Sequence, residues 1–374
     1  MSAIYLHIPF CKRLCGYCDF FKSVKLQHLQ PTLEAMEREI IEQKGFLNDT
    51  QIKTIYFGGG TPSLISALQV RRFLDIIAEN YSVESLQEVT IEVNPDDITP
   101  QYLSELRAAG INRLSIGIQS FDDEELKFMN RRHSSAQAIE AVRLAQSLGF
   151  DNITIDLIFG VHGFGVEILR RSIAVALSLN VQHISAYHLT IEGGTPFARN
   201  VERGVMQQVS DKVSQEEYDL LERELVKAGY EHYEVSNYAL PSFRSKHNSS
   251  YWQGVEYLGV GAGAHSFNGH VRRYAANSIE KYLEEVEFRY ESEILTIADK
   301  YNELIMTSLR CSEGVDLSKI KVCFPDKFYL HTLKNASRWL SGGELIEKND
   351  KIYIPTEHFL ISDFIIESMF YSAD

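Results

Sequence analysis

Three cysteines lie within eight residues near the start of the chain, in the pattern C-x3-C-x2-C formed by Cys11, Cys15 and Cys18. Three thiolates in one loop can hold a compact iron–sulfur cluster. Because such clusters usually take four cysteines, one iron would keep an open coordination position that a ligand can occupy. The spacing is equally compatible with a zinc site completed by His7, and three reduced cysteines without metal are a further alternative.

Other residues able to bind a ligand follow short β-branched and aromatic runs. Gly58-Gly59-Gly60-Thr61-Pro62 follows one such run, and glycines allow bare backbone amides to approach a ligand closely, although a glycine turn is often only a turn. Glu92 ends another run, where its carboxylate can accept hydrogen bonds from a diol or simply be a solvated charge. Gln119 closes a third run and offers both a donor and an acceptor.

Two further candidates carry charge. Arg131, in Met129-Asn-Arg-Arg-His133, can bind a carboxylate through two parallel hydrogen bonds, and Arg131 or Arg132 can equally be a surface charge. Asp156 lies within an apolar run, where an unpaired carboxylate is costly. These residues need a framework that gathers them in one place.

The first half of the chain supplies that framework, because short strand-like runs alternate with longer segments of helical periodicity. Repeated β–α units give a parallel sheet with right-handed crossovers, which places all carboxyl ends at one edge. Six units are fewer than the eight of a closed barrel, so we expect an α/β fold with a partial (β/α)6 TIM-like barrel. The predicted strands are residues 4–8, 54–57, 89–93, 113–118, 153–158 and 183–187, and the predicted helices are 32–44, 68–80, 100–109, 134–148 and 166–179.

The pattern changes after about residue 193. A polar helix is predicted at 214–228, followed by loops and irregular strands over 233–274, then helices at 297–310 and 328–340 and a hairpin at 344–355 that turns at Asn349-Asp350. Helices followed by a hairpin predict a small, winged-helix-like α+β C-terminal region. The expected division is a barrel (1–195), a barrel-associated extension (196–290) and a C-terminal domain (291–374).

Composition excludes several classes of protein. With 44% hydrophobic residues over 374 positions the chain can build a large core, and its formal charge of −14 opposes binding to nucleic acid. No apolar run approaches the roughly 18 residues that a transmembrane helix needs, and no basic leader is present, so we expect a cytoplasmic protein. Cys311 and Cys323 are interpreted as reduced core residues.

The stretch from Tyr5 to Cys18, YLHIPFCKRLCGYC, resembles the signature of radical S-adenosylmethionine (radical SAM) proteins. The resemblance implies that the three cysteines hold a [4Fe–4S] cluster whose open iron binds S-adenosylmethionine, and that reduction cleaves the sulfonium to a 5′-deoxyadenosyl radical. It assigns Tyr17 to the adenine and the glycine motif, including Gly59, Gly60 and Thr61, to the methionine end. It also selects Arg131 over Arg132. One departure is Gly160-Val-His-Gly-Phe-Gly165, where the family usually has a Gly-x-Pro-Gly-Gln-Thr-like stretch near the adenine.

From Tyr5 through Asp156 the spacing is most similar to the oxygen-independent coproporphyrinogen III oxidase family, which contains true oxidases and HemW-type heme chaperones. Oxidases carry an N-terminal extension and a further cysteine two residues after the cluster, where this chain has only four residues before Tyr5 and has Phe20. The H-N-x-x-Y-W motif of the HemW type is present at His247 to Trp252. The resemblance links it with heme, since His247 could ligate iron and Tyr251 and Trp252 could stack on a porphyrin. His188, His265 and His133 are alternative ligands, and ordinary packing is the plain alternative for the motif.

We therefore expect a heme chaperone that binds a [4Fe–4S] cluster, S-adenosylmethionine and heme, and that transfers heme to an acceptor protein with help from an electron donor for the cluster. The alternative function is oxidative decarboxylation of coproporphyrinogen III, and a zinc-stabilised barrel with an interaction domain is a third hypothesis. The sequence leaves open whether radical chemistry accompanies transfer, whether heme is held covalently, and which protein accepts it.

Overall fold

Six parallel strands in sequence order form the centre of the molecule. The computed structural model describes residues 1–284 and 290–372. Each strand pairs with the next along the chain, which is the arrangement that repeated β–α units produce. These strands are β1 (Ser2–Ile8), β2 (Ile52–Gly59), β3 (Glu88–Val93), β4 (Arg113–Gln119), β5 (Ile153–Phe159) and β6 (His183–His188).

Helices connect these strands. Ser66 and Ser134 begin two of them with reciprocal hydrogen bonds to Gln69 and Gln137, and Gly110 ends another in a left-handed conformation. The six helices of this part are α1 (Leu29–Glu42), α2 (Ala67–Asn80), α3 (Pro100–Ala109), α4 (Asp123–Phe128), α5 (Ser135–Ser147) and α6 (Val166–Ser178).

The two faces of this sheet differ in polarity. Residues such as Ile4, Phe57 and Ile155 are fully or almost fully buried within the main hydrophobic core that the helices share with the sheet. The alternate positions are polar, so the opposite face is lined by groups that need hydrogen-bond partners. They include Thr90, Glu92, Arg113, Ser115, Thr154, Asp156, His183 and Ser185.

The sheet continues beyond the six strands at both ends and stays open. The described residues form one twelve-stranded sheet of order β12-β11-β10-β9-β1-β2-β3-β4-β5-β6-β8-β7, in which β9 pairs parallel to β1 and β8 pairs antiparallel to β6. The elements added here are α7 (Pro196–Glu202), α8 (Asp211–Lys227), β7 (Glu231–Glu234), β8 (Asn237–Ala239), α9 (Lys246–Trp252), β9 (Tyr257–Val260), β10 (His265–Phe267), β11 (Val271–Ala275), α10 (Ile279–Glu284) and β12 (Tyr290–Ile294).

The C-terminal part combines helices with a small sheet. Its three strands pair in the order β13-β15-β14, and the hairpin turns at Asn349 and Asp350, whose φ angles of 54° and 61° suit a tight turn between β14 and β15. The elements are α11 (Ile297–Leu309), β13 (Val315–Asp316), α12 (Leu317–Cys323), α13 (Asp326–Gly342), β14 (Ile346–Lys348), β15 (Lys351–Tyr353) and α14 (Ser362–Ser368).

The six predicted strands and the helices between them are confirmed, as are the C-terminal helices and hairpin. One prediction is wrong in part, because residues 233–274 were expected to hold loops and strands, whereas 246–252 form α9. The three-part division of the chain stays a prediction. Among the described residues, no helix is long and apolar enough to cross a membrane.

Candidate functional site

The carboxyl ends of the barrel strands surround a cavity of about 420 Å³, called here the barrel cavity. Most of the residues singled out from the sequence line it, although they come from six separate segments. Those residues are Cys11, Cys15, Tyr17, Cys18, Gly59, Gly60, Thr61, Glu92, Gln119, Arg131 and Asp156. Asn94, Ser115, Tyr187 and Glu192 also line it and were not predicted.

The three cysteines are all free thiols in the loop after β1. The loop is fixed by backbone hydrogen bonds from Cys11 to Ser23 and from Gly16 to Met129. Two donors point at sulfur atoms, since Thr61 Oγ1 lies 3.4 Å from Cys11 Sγ and Arg131 Nη1 lies 3.4 Å from Cys15 Sγ. Hydrogen bonds of this kind stabilise thiolates and tune the clusters that thiolates hold.

The donor set fits an iron–sulfur cluster. Three thiols face one cavity, and two of them already receive hydrogen bonds. Burial raises the pKa of Cys11 and of Cys18, so both thiols are protonated at neutral pH and must release protons when they become metal ligands. Within residues 1–284 and 290–372, no three His, Cys, Asp or Glu side chains are gathered around the position of a single metal ion.

The glycine triplet after β2 supports the cysteine loop. Gly60 N donates to Ile8 O at 2.9 Å, and a Cβ on Gly60 would lie 2.7–3.0 Å from backbone atoms of Ile8 and Phe10. Gly59 has a φ of 112°, and a Cβ there would collide with the ring of His7. Glycine is therefore required by close contact with the chain segment that leads to Cys11, as well as for any approach to a ligand.

Two carboxylates lie on the inner face of the barrel. Glu92 accepts hydrogen bonds from Tyr56 Oη at 2.9 Å and from Gly59 N at 3.1 Å. Burial and then the nearby Asp156 raise the pKa of Glu92 to about 7, and burial raises the pKa of Asp156 to about 6 despite hydrogen bonds from serine hydroxyls. Both pKa values lie near neutral pH, so a nearby charge would change the protonation of these groups.

Gln119 and Arg131 both line the barrel cavity. Gln119 has a φ of 73°, in the left-handed region that glutamine seldom adopts, and the pairing of β4 with β5 is irregular between Ile116 and Gln119. Arg131 Nη2 donates to Asn94 Oδ1 at 2.7 Å and to Gly117 O. Its buried Nε has no hydrogen-bond partner among the described residues, so Arg131 retains one donor for a ligand.

Arg132, which follows Arg131, and the alternative heme ligands His133 and His188 all contact other residues of the chain. Arg132 pairs with Asp96 at 2.6 Å and with Asp97 at 3.2 Å. His133 Nε2 lies 3.0 Å from Ile118 O, and His188 Nε2 lies 2.9 Å from Ser214 Oγ.

The predicted heme motif lies on α9, behind the barrel cavity. His247 is 1% exposed, its Nδ1 lies 2.9 Å from Thr54 Oγ1, and its Nε2 lies 2.9 Å from Tyr251 Oη. Burial and the charge of Arg113 lower the pKa of His247 to about 3. Because both ring nitrogens have partners inside the protein, the structure does not bring this imidazole to a cavity where it could ligate heme iron.

A buried ion pair holds α9 in place. The backbone amides of Lys246 and His247 donate to the two carboxylate oxygens of Glu88, at 3.0 and 2.9 Å. Glu88 lies 3.9 Å from Arg113, and both side chains are 1% exposed. An acidic group at a helix N-terminus is favourable, and here it fixes the first turn of α9 against β3.

Tyr5, Tyr251 and Trp252 line a second cavity of about 740 Å³, called here the aromatic cavity. Tyr5, which opens the cysteine signature and is a predicted cofactor-binding residue, lines this cavity and not the barrel cavity, and its hydroxyl lies 3.0 Å from His7 Nδ1. Phe20 lines both cavities.

The sequence analysis did not identify several residues that line the barrel cavity, although the strand pattern points to them. Asn94 follows β3 directly, and Ser115 and Tyr187 occupy inward positions of β4 and β6, so alternation along the predicted strands would have included them. The left-handed conformation of Gln119 had no such signal, because only the irregular pairing with β5 reveals it.

Comparison with known proteins agrees with this arrangement. The radical SAM superfamily profile matches residues 5–176. A protein of Lactococcus lactis named heme chaperone HemW is 34% identical over 368 residues, which cover 98% of this chain and 96% of that protein. A Bacillus subtilis protein of the same name is 35% identical over 321 residues, covering 84% of this chain and 85% of its own.

More distant matches extend the comparison. The mitochondrial radical S-adenosyl methionine domain-containing protein 1 of Danio rerio is 32% identical over 327 residues, covering 84% of this chain and 74% of its own length. The structure of coproporphyrinogen III oxidase HemN from Escherichia coli, a radical SAM enzyme, superposes with a TM-score of 0.85. The match covers 98% of this chain and 89% of HemN at 24% identity, so it shows a shared fold.

Proposed function

The chain belongs to the radical SAM superfamily and, within its coproporphyrinogen III oxidase-like family, to the HemW-type group, and from this membership we propose that it is a heme chaperone. It binds a [4Fe–4S] cluster, S-adenosylmethionine and heme, and it passes heme to an acceptor protein. The supporting observation is that the cysteines and the strand-end polar residues line one cavity while a larger aromatic cavity lies beside it.

The barrel cavity holds the cluster and S-adenosylmethionine in this proposal. Cys11, Cys15 and Cys18 are the cluster ligands, and the bound cluster supplies one electron for cleavage of the sulfonium. Thr61 and Arg131 stabilise the sulfur ligands through the hydrogen bonds described above. An electron donor is therefore a required partner.

The remaining polar groups orient S-adenosylmethionine. Glu92 accepts hydrogen bonds from the ribose hydroxyls, and Gln119 and Arg131 bind the polar ends of the ligand. Gly59, Gly60 and Thr61 face the methionine end, and Tyr17 lies beside the adenine. Asp156, close enough to raise the pKa of Glu92, completes the polar floor of the cavity.

Heme is the cargo in this proposal. Tyr251 and Trp252 line the aromatic cavity and offer flat apolar faces to a porphyrin. The sequence also assigned His247 to heme, and in the structure that residue supports Tyr251 through a hydrogen bond. All five cysteines are free, which agrees with a reducing compartment, and we place the protein in the cytoplasm.

Anaerobic reconstitution with iron and sulfide, followed by hemin titration, tests the proposal. We expect about four irons and four sulfides per chain, a Soret band that saturates with hemin, and 5′-deoxyadenosine when reductant and S-adenosylmethionine are added. Cys15→Ser should lose the cluster, whereas Cys323→Ser, outside the loop, should keep it.

Two results would contradict the proposal. Zinc without acid-labile sulfide would favour a zinc-stabilised barrel. Vinyl product from coproporphyrinogen III, without stable hemin binding, would favour the oxidase.

A further inference from the structure

The aromatic cavity lies between the β9–β11 strands and helices α11 and α12 of the C-terminal part. Its volume of about 740 Å³ falls within the roughly 300–1,000 Å³ of cofactor sites. Its walls are mainly aromatic and aliphatic. They include Phe21, Trp252, Tyr257, Phe267, Leu304, Met306 and Phe324. Such a cavity suits a large, flat, apolar ligand.

The two histidine side chains that line this cavity differ in whether they have hydrogen-bond partners. His7 is engaged at both ring nitrogens, by Tyr5 Oη at 3.0 Å and by Phe21 O at 3.1 Å. His265, on β10, is exposed, and its side chain makes no hydrogen bond with any described residue; the ring packs edge-on against Tyr274 at 4.7 Å between centroids. Partial burial lowers the pKa of His265, which favours the neutral imidazole that metals bind.

The other possible iron ligands in the cavity are weaker candidates. Tyr257 receives a hydrogen bond from Arg272 at 3.2 Å, and Tyr251 is bonded to His247. The Met306 thioether is a weak ligand on its own. Cys323 also lines the cavity as a free thiol, which must release a proton before it can bind iron. His265 is thus the histidine of this cavity that can bind iron with no rearrangement of side-chain hydrogen bonds.

Cationic groups line the same cavity in a chain of net charge −14. Arg272 pairs with Glu303, whereas Lys300 contacts only the ring of His270 at 2.8 Å, and no described carboxylate pairs with Lys300 or Lys319. Two unneutralised ammonium groups beside an apolar cavity match a ligand with an apolar body and two carboxylates.

The buried indole nitrogen of Trp252 is a further group without a partner. Its Nε1 has no hydrogen-bond acceptor among the described residues although Trp252 lines the cavity. A donor left unpaired in a polar-rimmed cavity is satisfied when a ligand supplies an oxygen.

We infer that heme binds in the aromatic cavity, where His265 would be a ligand of the iron and Lys300 and Lys319 would lie near its propionates. This inference rests on the proposed heme-chaperone function and assigns that function a site distinct from His247.

Hemin titration of the full chain and of single variants tests the inference. His265→Ala should lose the Soret maximum of the histidine-bound form and bind hemin at least tenfold more weakly, and added imidazole should restore the spectrum. His358→Ala removes a histidine that lines neither cavity, so this variant is the matched control and should behave as wild type. Cys323→Ser should keep the Soret maximum of wild type if His265 is the ligand. Lys319→Glu should weaken hemin binding several-fold without moving the Soret maximum.

Metal-free protoporphyrin IX separates loss of the ligand from loss of the cavity. Because this porphyrin has no iron, wild type and His265→Ala should bind it equally, as measured by fluorescence. An unchanged Soret spectrum and affinity in His265→Ala would overturn the inference while leaving heme binding intact. Absence of hemin binding by the wild-type protein would overturn the proposed function and this inference together.

Discussion

At the scale of single residues, the barrel cavity contains groups whose charge depends on the ligand. Asp156 is close enough to raise the pKa of Glu92, whose carboxylate accepts hydrogen bonds from Tyr56 and Gly59, and burial raises the pKa of Asp156. A cationic ligand would favour ionisation of both carboxyl groups. Without it, the protein retains buried carboxyl groups that are poorly solvated.

We predict that Glu92→Gln stabilises the ligand-free protein at pH 8 and not at pH 4.5. The unfolded chain ionises this carboxyl near pH 4.5, whereas the folded chain keeps its proton until about pH 7. The wild type therefore loses stability as pH rises through that window, by on the order of 3 kcal/mol, and glutamine has no proton to lose. Urea unfolding at several pH values measures the difference.

The exposed Glu124→Gln variant on α4 is the control for removing a negative charge, because its side chain is 80% exposed. Equal pH dependence in wild type and Glu92→Gln would show that Glu92 ionises in the folded protein as it does in water.

At the scale of elements, the sequence predicted the strands and helices whose formation depends on the local pattern of apolar and polar residues. Period-2 and period-3.6 patterns located β1–β6 and five of the helices between them, but not the short helix α4. Strand order then placed Glu92, Gln119 and Asp156 at one edge. The prediction missed α9, because residues 246–252 are polar and aromatic. Ser245 is a local N-cap signal for this helix, but its first turn also depends on Glu88, more than 150 residues away. Tertiary contacts of this kind leave no local pattern.

The ends of β1 and β2 give a second prediction. Gly60→Ala should sharply reduce iron and sulfide after reconstitution, because its Cβ would push the backbone at Ile8 and Phe10 and displace the loop that carries Cys11. Iron and acid-labile sulfide assays measure the effect. Gly45→Ala is the matched control, since a Cβ there meets nothing within 4 Å.

If Gly60→Ala retained a full cluster, the cysteine loop would not depend on this backbone contact. The aromatic cavity includes neither Gly60 nor Cys11, so hemin binding should change only as far as the displaced loop moves Phe20 and Phe21, which line that cavity.

At the scale of the whole molecule, the aromatic cavity is formed by parts of the chain that are far apart in sequence. Tyr5 comes from the first strand, Trp252 and His265 from the extension, and Met306 and Phe324 from the C-terminal part. No sequence pattern marks such a cavity, because its walls come from separate elements whose packing is set by the complete fold.

Hydrogen exchange measured by mass spectrometry should therefore show two separate patterns of protection. Hemin should slow exchange together in residues 251–257, 263–272 and 300–324, which border the aromatic cavity. The cluster with S-adenosylmethionine should slow exchange in residues 11–19, 115–119 and 130–133. Hemin protection confined to the second set would place heme in the barrel cavity instead.

Phe20 is 65% exposed and lines both cavities, on the loop whose cysteines face only one of them. Through this side chain, a change in the cysteine loop alters the wall of the neighbouring cavity. Thermodynamic linkage makes any such influence reciprocal: the factor by which an assembled cluster changes heme affinity equals the factor by which bound heme changes cluster affinity. The effect of the cluster on heme affinity and the effect of heme on cluster affinity therefore measure the same coupling free energy.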